Sequence, residues 1–195
     1  AGGKKLLQYR SYSIASSTTE NALIELVIKK TTDGFVSHYL TENMDIGDEV
    51  AIMGPYGNFI LPERHDYESI VFIAAGSGVA PYLCMMRSIC ARELPITLHL
   101  IFSNKTEEDI IARKEIEKAC ANNPLLSYDF TLTRFHSVWR GRIGRINKEI
   151  LAPHISNKKR TAFYLCGAPA MVNDVNAMLE SAGVSPNDIK QEIYN

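Results

Sequence analysis

No stretch of this 195-residue sequence is apolar for long enough to cross a bilayer. The longest apolar run, "SIVFIAAGSGVAPYLCMM" at residues 69–86, is interrupted by two glycines, two serines and a proline. It reads instead as strand, turn and buried helix. No signal peptide is visible, and no internal repeat or low-complexity segment is expected. The net charge is only −1, which excludes a whole-molecule attraction to nucleic acid or anionic membrane. Cysteine is scarce. Cys84, Cys90, Cys120 and Cys166 fit no zinc or iron–sulfur spacing, so free thiols in a reducing, cytoplasmic compartment are expected. The histidines, at 38, 65, 99, 136 and 154, show no ligand spacing either, and no metal is expected.

What is present is a chain of two characters. Apolar residues make up 46% and charged residues 22%, the balance of a folded globular chain. Up to Ala75 there are 6 basic and 10 acidic residues, and from Gly76 onward 15 and 12, so the two parts differ in charge as well as pattern. The first part offers short strands, "RSYSIAS", "ALIELVIKK" and "GDEVAIMGPYGNF", with "DGFVSHYLTEN" as a turn feeding a short helix. Strands with such turn punctuation predict a small β-barrel or sandwich.

From Ser69 the period changes. "SIVFIAA", "PITLHLIFS", "LSYDFTLTR", "TAFYLCG" and "DIKQEIYN" read as strands. Helices alternate with them at "GSGVAPYLCMMRSICAREL", "EEDIIARKEIEKACANN", "INKEILAPHI" and "APAMVNDVNAMLESAG", the last closed by Gly183. This alternation predicts a doubly wound α/β domain with a parallel sheet. The expected division is 1–65 and 66–195, with "LPERHDYES" at 61–69 as linker.

Several motifs have the chemistry of nucleotide binding. "GSGVAP" hands a buried strand to a helix, where glycines admit close approach and free N–H groups favour phosphate. Cys166 and Gly167 end another strand at the same sheet edge, so two turns converge on one cleft. "TRFHSVWRGRIGR" supplies Arg134, Arg140, Arg142 and Arg145, whose forked donors suit a phosphate monoester or simply a solvated basic loop. In "RSYSIASS", strand alternation places Arg10 and Tyr12 on one face and Ser13 on the other.

In this order, "RSYS", "GFVS", "GPYGNF", "GSGVAP" and "CGAPAM" resemble the ferredoxin–NADP reductase family over nearly the whole chain. "EIYN" at the end is similar to the family's acidic-x-aromatic tail with one residue added. The resemblance implies an FAD-binding barrel at 1–65 and an NAD(P)-binding domain at 66–195. It implies that Arg10, Tyr12 and Ser13 hold FAD, with Gly34, Val36 and Ser37 around its pyrophosphate. Gly76, Ser77, Gly78 and Pro81, with Cys166 and Gly167, would line the nicotinamide cleft, and Ser13, Cys166, Glu192 and Tyr194 would serve catalysis. Thr133 and Arg134, with Arg142 as second choice, would read the 2′-phosphate of NADP. "SNKTEEDIIAR", however, resembles NADH-using relatives such as cytochrome b5 reductase, so NAD stays open.

The implied activity is hydride transfer from NADPH or NADH to FAD, then release of single electrons to an acceptor protein such as a ferredoxin. A non-catalytic NAD(P)-binding or electron-relay subunit, or the reductase component of an oxygenase, are the other readings. The family has about three barrel strands before "RSYS", whereas nine residues precede Arg10 here. An incomplete barrel is therefore expected, explained by a fragment, a completing partner chain or a reduced flavin domain.

Overall fold

Ser69–Ala75 is buried at nearly every position, as a strand covered on both faces must be. It is the third strand from one edge of a six-stranded sheet. The computed structural model describes residues 8–17, 19, 23–61, 67–135, 137–156 and 160–194. The expectations for His65, His136, linker residues 62–66 and Asn195 lie outside these, as do residues 1–7.

The strands are β1 (Ser69–Ala75), β2 (Thr97–Asn104), β3 (Leu126–Leu132), β4 (Arg142–Ile143), β5 (Thr161–Gly167) and β6 (Ile189–Ile193). Their order is β4-β3-β2-β1-β5-β6, and every pairing is parallel. The chain winds outward from β1 to one edge, then returns to lay β5 on the other side of β1. That reversal opens a crevice beyond the carboxyl ends of β1 and β5. The helices are α1 (Phe35–His38), α2 (Ala80–Ala91), α3 (Arg113–Asn122), α4 (Lys148–Ile155) and α5 (Pro169–Ser181).

Alternation along the central strands divides the core. Leu98, Leu100 and Phe102 of β2 join α2 and α3 on one face. Val71, Ile73 and Ile101 join Ile150 and Leu151 of α4 and Val172, Val175 and Leu179 of α5 on the other. Pro81 sits in the first turn of α2, where its missing N–H leaves nothing unpaired. Asn147 caps α4 by accepting from the Ile150 N–H at 3.0 Å.

Two elements depart from the pattern. The predicted helix from Glu107 begins only at Arg113. Asp109 instead accepts from the backbone and hydroxyl of Thr106 at 3.0 and 3.1 Å, and Ala112 takes a left-handed conformation, so the segment folds as turns. Strand β4 is an addition: two residues of the arginine-rich loop pair with Thr131 and Leu132.

The front segment differs more. Among the described residues its expected strands form a single antiparallel bridge, Ile14 to Leu26, beside a 2.8 Å bond from the Ala15 N–H to the Glu25 carbonyl. The helix expected after "DG" is present as α1 and a π-helical turn at Tyr39–Asn43. A strand pair without further neighbours is marginal in water, and Val50, Ile52, Met53 and Ile60 stay exposed.

The front segment is nonetheless tied to the sheet domain. Arg87 of α2 donates to the Ala15 carbonyl at 2.7 Å, to Glu25 at 3.1 Å and to both carboxylate oxygens of Glu115 at 2.6 and 2.9 Å. The two carboxylates raise its pKa further. Tyr164 of β5 donates to the Ile60 carbonyl at 3.1 Å, and Phe59 sets its edge against Phe72 and Tyr164. Replacing Arg87 with methionine keeps the stem and strands two carboxylates without their partner. The expected loss is about 2 kcal/mol, with faster proteolytic cleavage between residues 16 and 25. Thermal melting and timed proteolysis of both proteins check this; unchanged cleavage would mean the tether is idle.

Candidate active site at the carboxyl edge of the sheet

The register of β5 with β6 determines what meets at the crevice. Cys166 pairs with Glu192 and Gly167 with Ile193, and the Tyr194 N–H donates to the Gly167 carbonyl at 2.9 Å. The tail is thus continuous with the sheet, and Glu192 stands beside Cys166. Ser13 arrives from the front segment, 179 residues away in sequence, and donates to Glu192 Oε2 at 2.7 Å. The Tyr194 hydroxyl donates to Ser13 Oγ at 2.6 Å, and the Cys166 thiol approaches the same Glu192 oxygen at 3.8 Å.

The result is a directed row, Tyr194 to Ser13 to Glu192, with Cys166 as a second donor on the carboxylate. Burial pushes the Cys166 thiol up to about 12, with the Glu192 charge adding to the effect against the Tyr194 hydrogen bond. Burial likewise raises the Tyr194 phenol. Both groups therefore keep their protons at neutral pH and remain donors. The row can hold one proton-accepting carboxylate in a half-buried place and pass a proton along hydroxyls.

Gly78 explains how the two turns come so close. A Cβ there would lie 2.2 Å from the Cys166 carbonyl oxygen and 2.6 Å from its carbon. The turn after β1, a 3-10 turn at Gly76–Val79, rests directly on the backbone at the end of β5. Ser77 is half-buried beside it, and Pro81 is buried in α2.

The remaining predicted residues lie in separate places. Arg10 is exposed and donates to the Tyr9 carbonyl at 2.7 Å; Tyr12 is half-buried next to Ser13. Gly34, Val36 and Ser37 form the entry to α1, where Ser37 Oγ donates to the Gly34 carbonyl at 2.9 Å and accepts from the Thr31 N–H at 3.2 Å. A Cβ on Gly34 would meet the Thr31 and Ser37 hydroxyls at 2.0 and 2.5 Å, so the turn closes only around glycine. Thr133 and Arg134 leave β3 at the same sheet edge, their N–H groups donating to the carbonyls of Asn104 and Lys105 at 3.0 and 2.7 Å. The Arg134 side chain has no ion pair among the described residues. Arg142, by contrast, forms an ion pair with Asp129, Nε to Oδ2 3.0 Å.

Sequence reasoning overlooked Asn104. It ends β2 at this edge and is only 6% exposed, yet its amide nitrogen and oxygen have no hydrogen-bond partner among the described residues. A buried amide left unpaired is costly unless a ligand completes it. Its signal was in "SNK", directly after an apolar strand. The orphaned amide, the converging turns and the half-exposed Tyr12 fit a dinucleotide and a planar cofactor at this edge.

Residues 72–177 match the family model of the oxidoreductase NAD-binding domain, and residues 3–60 that of the oxidoreductase FAD-binding domain. The chain is 32% identical over 190 residues to NADH-cytochrome b5 reductase 1 of Dictyostelium discoideum, covering 96% of this chain and 65% of that protein. It is 27% identical over 186 residues to the anthranilate 1,2-dioxygenase electron transfer component of Acinetobacter baylyi, covering 95% and 53%. The chain thus spans about half to two thirds of the length of these curated relatives. The cytochrome b5 reductase domain of Ulva prolifera nitrate reductase shares the fold, with a TM-score of 0.84 at 24% identity over 94% of this chain and 78% of that one. With both domains matched in sequence, and the nucleotide-binding match alone covering more than half of its residues, the chain belongs to the ferredoxin reductase-like family of FAD-dependent NAD(P)H oxidoreductases.

Proposed function

We propose that this chain carries electrons from a reduced nicotinamide nucleotide, through FAD, to a one-electron acceptor protein. The observation that carries the proposal is the row Tyr194–Ser13–Glu192–Cys166, which joins the front segment to the sheet at the crevice between β1 and β5. When bound, FAD supplies the capacity to take a hydride and release electrons singly. The chain's own part is to position, to exclude water and to hold protons. Residues 1–65 form the flavin unit, with Arg10, Tyr12 and the Gly34–Ser37 turn against the cofactor. The exposed apolar side chains between Val50 and Ile60 support a barrel there, since such side chains line one face of a covered sheet.

Residues 66–195 form the nicotinamide unit. Gly76, Ser77, Gly78 and Pro81 provide a close backbone approach, and Asn104 supplies an amide for the nucleotide. Ser13, bonded on both sides, keeps its hydroxyl fixed between Glu192 and Tyr194. Glu192 gathers the donors of Ser13 and Cys166, and so sets the direction of every hydrogen bond in the row.

The names of the relatives, cytochrome b5 reductase and dioxygenase electron transfer component, favour a haem or oxygenase-system protein as acceptor beside the ferredoxin-like one. No helix among the described residues is long and apolar enough to cross a membrane. The first test is an absorbance spectrum of the purified chain, before and after anaerobic NADH or NADPH. Flavin bands that bleach on addition are the expected result. A protein that stays colourless after incubation with FAD would favour the non-catalytic nucleotide-binding subunit.

Nucleotide choice rests on Thr133 and Arg134, which reach the edge beside Asn104, with the Arg134 guanidinium in no ion pair among the described residues. Arg134→Ala is expected to raise KM for NADPH by about tenfold and to leave NADH within about twofold. Steady-state kinetics with each nucleotide checks it; equal losses would remove Arg134 from 2′-phosphate recognition.

A further inference from the structure

The opposite end of the sheet holds a cluster that nucleotide chemistry does not use. His99 is the third residue of β2, five residues before Asn104, so it lies about 16 Å from the carboxyl edge. Alternation puts its side chain on the face with Ile101, the face covered by α4. In register with it on β3 stands Ser127, and two residues on, on the same face, Asp129. On α4, His154 follows Ile150 and Leu151 by four and three residues, so it shares their inward side. Its ring centroid lies 4.1 Å from that of His99.

We propose that His99, Asp129 and His154 form a binding site for one divalent transition-metal ion of the zinc class. One ligand atom from each residue lies within 4.8 Å of the other two. His99 Nε2 and Asp129 Oδ2 are 3.5 Å apart. Ligand atoms at tetrahedral zinc are separated by about 3.4 Å, given bonds of about 2.1 Å. The His154 ring, now tilted 30° to that of His99, supplies the third ligand by turning out of this stack, and the partly exposed position leaves a fourth place for water.

The hydrogen bonds around the cluster are those of a metal site. His99 Nδ1 is 2.7 Å from Ser127 Oγ. With Nδ1 as donor, the Nε2 lone pair faces the Asp129 carboxylate, and Nε2 is buried with no hydrogen-bond partner among the described residues. In that tautomer two acceptors face each other at 3.5 Å, an arrangement that a cation between them relieves. A metal-bound histidine typically donates its other N–H to an orienting group, which is the place of Ser127. Arg142 Nε lies 3.0 Å from the same Asp129 oxygen, so guanidinium and metal ion would share it. The imidazole and carboxylate set, without thiolate, suits zinc over calcium or magnesium. The Arg142 charge opposes a cation and keeps affinity below that of a closed four-ligand site.

A bound ion would join α4 to β2 and β3, so its signature is thermal as well as spectroscopic. The test uses the whole chain, without a histidine tag, stripped by chelator and dialysed. Zinc is titrated against a chromophoric chelator, and cobalt(II) is followed by its visible bands. The expected result is one equivalent bound, with a rise in Tm on adding zinc. Asp129→Asn and His154→Gln should each weaken binding by at least about tenfold and abolish the Tm rise. His154 is on a surface helix, so that variant should keep the native circular dichroism. Absence of binding, equal binding by His154→Gln, or a cobalt spectrum with thiolate charge-transfer bands from Cys84, Cys90 or Cys120 would overturn the assignment.

Discussion

Glu192→Gln is expected to slow the bleaching of the flavin bands by NADH about 10- to 100-fold, while nucleotide affinity changes by less than about twofold. The substitution keeps length and shape and removes one charge. In the native row, Glu192 Oε2 accepts from the Ser13 hydroxyl at 2.7 Å and from the Cys166 thiol at 3.8 Å. A glutamine presents one carbonyl and one NH2. If the NH2 faces Ser13, the serine must turn, and the Tyr194 hydroxyl loses its ordered acceptor. If the carbonyl faces Ser13, the geometry survives but the charge is gone. Both arrangements weaken a polar environment built around a carboxylate, and neither touches the Gly76–Val79 turn or Asn104, where the nucleotide is expected to bind. The split between rate and affinity is therefore the diagnostic. Stopped-flow mixing at saturating NADH, with a separate titration of NAD, measures the two quantities. An unchanged bleaching rate would leave Glu192 as a structural tie between the tail and Ser13.

The parts of this arrangement that sequence made legible are those fixed by local pattern. "SIVFIAA" is apolar on both faces, so it had to be an interior parallel strand, and it is β1. "GSGVAP" and "TAFYLCG" could be placed at one sheet edge, because both end strands of a doubly wound order. Glu192 and Cys166 could be named from a resemblance, and the register of β5 with β6 makes them neighbours. What escaped were features set by distant partners. Strand β4 has two residues and exists only because Thr131 and Leu132 are there to pair with it. Arg142 stands in a basic loop, and that same pairing sets it beside Asp129, a partner that no local pattern announces. His99 and His154 are 55 residues apart, a separation without local meaning until α4 crosses β2. In the front segment, alternating patterns predicted strands, but a strand is completed by its neighbours, and among the described residues one bridge is formed. The site is thus most readable where the sheet's own periodicity builds it, and least where side chains meet across elements.

Gly78→Ala tests the packing that makes the crevice. It is expected to lower stability by about 3 kcal/mol, a fall in Tm of roughly 6–12 °C for a chain of this size, and to abolish NADH-dependent bleaching in the fraction that folds. The added methyl would sit 2.2 Å from the Cys166 oxygen, 2.6 Å from its carbonyl carbon and 2.9 Å from the Gly167 nitrogen. All three are backbone atoms, so no side chain can swing aside. Nor can the strands yield easily, because Cys166, the residue the methyl would strike, is paired in the ladder with Ala74, four residues before Gly78. Relief requires the turn to lift from the end of β5, carrying the first turn of α2 and the buried Pro81 with it. Lifting would also separate Cys166 from the nucleotide side of the cleft, so stability and function should fall together. Ser77→Ala, one residue earlier and half-buried, adds no atom and serves as the control, with a Tm expected within about 2 °C of the parent. A Gly78→Ala protein that melts like the parent would mean the two turns separate freely in solution. The close approach would then be one state of a mobile cleft rather than its fixed floor, and Cys166 would need another support to stay beside Glu192.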